Sequence, residues 1–197
     1  MLLLLTITLA VVMFLSPVEL MPSLAPYRPV LVLSLLGMPA AVMAGLMQRF
    51  HFVAPQVILL GGFAGALSFS LVYQGWLGGA LRALEEFGPA LAGFLLVAVV
   101  GIKLKRQKVL GATLVAIGLY LTLQGALAYH YGYREEQFIR LAWQEVEEGR
   151  IEKTLRRICG PGFLNDPNDL AQYLLIALAL VWGFRQQGRW LRNAVFL

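Results

Sequence analysis

Residues 156–175, RRICGPGFLNDPNDLAQYLL, gather the chemistry of this chain. Arg156 and Arg157 open the stretch, Asn165, Asp166 and Asn168 close its polar part, and an apolar run follows. A guanidinium is a planar fork of donors that grips phosphate at two points. The start of a helix adds unpaired backbone N–H groups and the positive end of its dipole. Arginines beside a helix start therefore suit a phosphorylated ligand, with Asn and Asp side chains left for sugar hydroxyls. The same residues also fit a plain helix start. Asp166 is placed to cap, Pro167 to fill the first helical position where no N–H is needed, and Asp169 to sit near the positive end. Gly160 and Gly162 then supply the tight turn before it. Both readings stand on the residues alone.

The elements that must position this stretch are membrane helices. Of 197 residues, 59% are hydrophobic and 14% are charged, against about 25% charged in soluble domains. A spanning helix needs roughly 20 apolar residues. Runs of that kind occur near 1–15, 29–47, 55–73, 87–102, 109–129 and 170–184, and a seventh begins near Trp190. The first run also has features of a signal peptide, with Ser23, Leu24 and Ala25 resembling a cleavage site, but it lacks a basic start. The expected fold is an all-α membrane protein forming one membrane domain over 1–197, with about six transmembrane helices.

Charge placement sets the expected orientation. With the N-terminus in the cytoplasm, the inner loops hold Arg49, then Lys103, Lys105, Arg106 and Lys108, then Arg185, Arg189 and Arg192. The short outer loops hold only Arg28 and Arg82. This is the positive-inside pattern, so the net charge of +5 reports topology and not nucleic-acid binding. The outer segment 129–169 is longer. Phe138, Ile139, Ala142, Trp143 and Val146 recur at helical spacing, which predicts an amphipathic helix over about 134–148, broken at Gly149. Such a helix lies along the outer interface or packs on its neighbours. The run 170–184 is short for a bilayer, which places the polar turn below the outer surface. Gly61, Gly62, Ala64, Gly65 and Ala66 suit close helix packing, and Gly78 with Gly79 suits an outer turn.

Other chemistry is thin. Cys159 is the single cysteine, and His51 and His130 are far apart. The motifs of zinc proteases, serine hydrolases and phosphate-loop enzymes are absent from the sequence.

The arginine–glycine–DPN stretch resembles the signature of the O-antigen ligase and O-antigen polymerase superfamily of bacterial membrane proteins. The matching residues are Arg156 or Arg157, Gly160, Gly162, Asn165, Asp166, Pro167, Asn168, Leu170 and Ala171. The basic turn RQQGRWLRN after the sixth run is also similar to that family. The resemblance implies a multi-pass protein of the bacterial inner membrane, with 129–169 on the periplasmic side. It implies transfer of an oligosaccharide from an undecaprenyl-pyrophosphate carrier to an acceptor, without nucleotide or obligatory metal cofactor. Arginines would hold the pyrophosphate, and cationic side chains stabilise charge developing on such a leaving group. The expected substrate-binding residues are Arg156, Arg157, Asn165, Asp166 and Asn168, with Gly160, Gly162, Pro167 and Asp169 shaping the helix start. Members of that family are much longer and carry a histidine on a large later loop, which His130 does not match. The chain therefore reads as the N-terminal half, cut within a seventh helix and inactive alone. Its expected partners are the carrier-linked glycan, membrane lipids and the missing C-terminal half, with no nucleic acid. Two other readings stay open: a secondary transporter or flippase, and a non-catalytic membrane scaffold.

Overall fold

The computed structural model describes residues 1–50, 54–146 and 150–187. His51, the break at Gly149, and the segment holding Arg189, Trp190 and Arg192 lie outside the described residues. The described chain is predominantly helical. In order it forms α1 (Leu2–Leu15), α2 (Pro17–Leu20), α3 (Pro29–Met47), α4 (Pro55–Tyr73), α5 (Leu77–Val100), α6 (Leu104–Tyr131), α7 (Glu135–Phe138), β1 (Ile139–Val146), β2 (Arg150–Ile158) and α8 (Pro167–Gln187).

Among the described residues, four helical stretches are long and apolar enough to cross a bilayer: Pro22–Met47, Pro55–Tyr73, Leu77–Val100 and Leu104–Tyr131. α1 is apolar but 14 residues long. α8 has 21 residues, about 32 Å at 1.5 Å per residue, with polar residues at both ends. It starts three residues before the expected run and continues past it. Its apolar part keeps the expected bounds, 170–184, and α8 is not among the four candidate spans above.

Proline and glycine punctuate the helices. Pro29, Pro55 and Pro167 each occupy the first helical position, where a missing N–H costs nothing. α4 ends in a six-to-one closure, the Trp76 amide donating to the Leu71 carbonyl at 3.0 Å. Gly75 supports that closure at φ 77°. Gly75 is thus the turn residue, and Gly78 and Gly79 lie inside α5. A side chain at Gly79 would strike the Trp76 ring.

The chain divides into two compact units. The first comprises Met1–Ala10 and Ser23–Gln107. Here α3 and α5 run in the same direction: Arg28 pairs with Glu85, and Gly37 packs under Leu96. Ala41, Ala92, Leu96, Val99 and Val100 form its fully buried centre. Gly61, Gly62 and Gly65 do not mediate close packing, since a Cβ at any of them would meet nothing within 4 Å. Ala64 alone of that group is buried.

The second unit comprises Val11–Pro22 and Lys108–Leu197. α6 and α8 pack antiparallel along a seam of glycines spaced by seven. Gly111 faces Phe184 and Gly118 faces Ala177. One heptad on, Gly125 receives Ile158, the last residue of β2. A seven-residue repeat keeps one helix face on its partner, and small residues let the backbones approach. Leu121, Phe138, Leu164, Leu170 and Tyr173 complete this core, with the Phe14 ring tilted against Tyr173, centroids 4.6 Å apart.

The segment 129–169 departs from the sequence expectation. Among the described residues of the expected helix over 134–148, only Glu135–Phe138 is helical, and Ile139–Val146 is a strand of an antiparallel hairpin. The run Ile139, Arg140, Leu141 alternates with period two, and β-branched residues recur in IEKTLRRI. A second strand satisfies the backbone groups of the first. An isolated hairpin is marginal in water. This one is anchored through buried Phe138 and Ile139, through Ile158 on Gly125, and by the Cys159 amide donating to the Phe138 carbonyl at 2.9 Å.

Candidate functional site

Where β2 ends, the chain turns sharply into α8. The Gly160 amide donates to the Leu164 carbonyl at 2.7 Å, closing a short helical turn over Gly162–Leu164. A Cβ on Gly160 would lie 2.7 Å from that of Leu164. Gly162 adopts φ +56°, and a Cβ there would lie 2.6 Å from the Ser16 Cβ. Both glycines are thus fixed by space, and Gly162 also by its backbone angle. Asp166 caps α8, its Oδ1 accepting from the Asn168 amide at 2.7 Å. Its carbonyl takes the first helical bond from the Leu170 amide at 3.1 Å. Asp169 lies in the first turn.

Two residues that the sequence did not single out complete the turn. Arg140 of β1 donates from Nε and Nη2 to the Asn165 side-chain oxygen at 2.9 and 2.5 Å. Glu19 of α2 accepts from the Gly162 amide at 2.7 Å. The polar turn is thus held by an arginine from one side and a carboxylate from the N-terminal segment on the other. The signal for Arg140 was strand alternation, obscured by helical spacing of the same apolar residues. The signal for Glu19 was a lone acid within an apolar N-terminal run.

The strand register also separates the two adjacent arginines. Arg157 pairs with Arg140 and Arg156 with Leu141, so the two lie on opposite hairpin faces. Arg156 bonds Glu135 at 2.7 Å and lies 5.5 Å from the Tyr129 ring centre. Arg157 shares the face of Arg140 and, among the described residues, has no acidic partner. Directly opposed side chains in a hairpin stand about 4.5–5.5 Å apart at Cβ, and like charges there repel. Arg140 and Arg157 therefore share one hairpin face with Asn165, beside an α8 start that also carries the Glu19, Asp166 and Asp169 carboxylates, and Arg156 does not belong to it.

Cys159 sits fully buried beneath this face. Burial pushes its thiol above the ordinary range, with nearby Arg140 pulling the other way. It is packing, not an activated nucleophile. His130 lies exposed at the end of α6, edge-on to Tyr129 at 5.3 Å. Among the described residues, no group of three or more His, Cys, Asp or Glu could hold a metal ion. No protein-family model, curated protein or solved structure matches the chain.

Proposed function

We propose that the Arg140–Arg157 face grips the pyrophosphate of an undecaprenyl-linked glycan, in a membrane glycan transferase of the O-antigen ligase and polymerase kind. The single observation that carries this is the direct cross-strand pairing of the two arginines beside the capped α8 start. Two cations held side by side stabilise each other poorly but match a doubly charged leaving group well. Asn165 fixes the Arg140 fork, which reduces the ordering cost of binding. In this reading α1, α3, α4, α5, α6 and α8 span the bacterial inner membrane, with the N-terminus inside and the hairpin in the periplasm. The parallel course of α3 and α5, and the antiparallel course of α6 and α8, agree with that alternation.

The test is binding of undecaprenyl pyrophosphate, against undecaprenol, by the protein in nanodiscs. The expected result is selective binding of the pyrophosphate. Arg157→Gln is expected to weaken it by about 10-fold to 100-fold, the scale of lost hydrogen bonds to a charged group. Equal binding of the two lipids would contradict the proposal. A scaffold reading is favoured by one observation: the Gly162 amide, Asn165 and Asp166 already have partners within the chain. Under that reading neither lipid binds selectively.

A further inference from the structure

A groove of about 510 Å³ opens between α3 and α5 in the first unit, within the roughly 300–1,000 Å³ that ligand pockets occupy. Leu31, Leu35, Met38, Phe87 and Leu91 are among the apolar side chains lining it. Ser34, also on the wall, turns its hydroxyl back to the Val30 carbonyl at 2.6 Å, so it offers the groove no free donor. Gly88 leaves the wall open, because a Cβ there would meet nothing within 4 Å. One charged residue lines the groove: Glu85, ion-paired with Arg28. Pro89 has no N–H, so the Glu85 carbonyl lacks the helical donor four residues on. Pro39 does the same for the Leu35 carbonyl, so the groove wall carries the Arg28–Glu85 pair and two carbonyls without their ordinary helical donor.

We propose that this groove binds a zwitterionic phospholipid with a primary ammonium headgroup, of the phosphatidylethanolamine type. One acyl chain lies along the apolar wall, the phosphate meets Arg28, and the ammonium meets Glu85 and its carbonyl. The headgroup inserts into the Arg28–Glu85 pair as a complementary dipole. A glycerol headgroup carries the same phosphate for Arg28 but no cation for the Glu85 carboxylate. A choline headgroup carries no N–H for the carbonyl or the carboxylate. This site is independent of the glycan reading.

The test is native mass spectrometry of the full chain released from bilayers of equal ethanolamine, choline and glycerol phospholipids. The expected result is one retained ethanolamine lipid per chain, enriched about fivefold over each other lipid, the upper scale of a partly exposed ion pair. Gly88→Phe fills the groove and is expected to abolish retention at an unchanged melting temperature. Leu91→Trp repeats the test from the same helix if the phenylalanine lowers that temperature. Glu85→Gln is expected to remove the preference over the choline lipid. Equal retention of the three lipids, undiminished retention in the filled-groove variants, or a lipid-free self-dimer would each overturn the proposal.

Discussion

Arg156 and Arg157 are neighbours in sequence and differ in almost everything else. Arg156 lies on the hairpin face turned to α6, paired with Glu135 and set over Tyr129. Arg157 lies on the other face, opposite Arg140, with no acid among the described residues to meet it. One arginine is spent on holding the hairpin, and the other is the one we propose for a ligand. The strand period of two makes this division: a helix would have put the pair on adjoining flanks of one cylinder. Which partners each arginine meets is therefore decided by secondary structure, not by residue type.

The comparison can be broken most strongly at Arg157. Arg157→Gln is expected to lose pyrophosphate binding by about 10-fold to 100-fold while leaving the melting temperature in place, read by lipid titration and thermal unfolding. Next in size is the support beneath both faces. Gly125→Leu would drive a side chain into Ile158, and overpacking of this kind costs about 1–3 kcal/mol. A lowered melting temperature, with faster proteolysis at the hairpin, is the expected outcome. Asp166→Ala removes the α8 cap and is expected to cost about 1 kcal/mol, with Asp166→Asn restoring most of it. Arg156→Gln is expected to have the smallest effect. Its ion pair is partly exposed, so the loss is expected below about 1 kcal/mol, with lipid binding unchanged.

Much of this architecture is legible in the sequence. Apolar run length marked the helices, and the order Asp166, Pro167, Asp169 marked the α8 start, because caps and first-turn preferences are local. Helix ends were less legible. α5 begins ten residues before its expected start, since Gly78 and Gly79 are tolerated within a helix once Trp76 packs on them. Close-packing glycines lie not in α4 but at Gly111, Gly118 and Gly125, where the seven-residue spacing is the better signal. The hairpin was illegible for a stronger reason. Phe138, Ile139, Ala142, Trp143 and Val146 satisfy helical spacing, and only pairing with the distant β2 strand selects the extended form. Arg140 and Glu19 depended on that choice and on chain reversal, so their place at the turn could not be read locally.

The most direct test is a side-by-side titration of the wild type, Arg156→Gln and Arg157→Gln with undecaprenyl pyrophosphate in nanodiscs. The account predicts that Arg156→Gln binds as the wild type does and that Arg157→Gln loses most of its affinity. Equal loss in both variants, or none in either, would contradict the division of labour between the two hairpin faces.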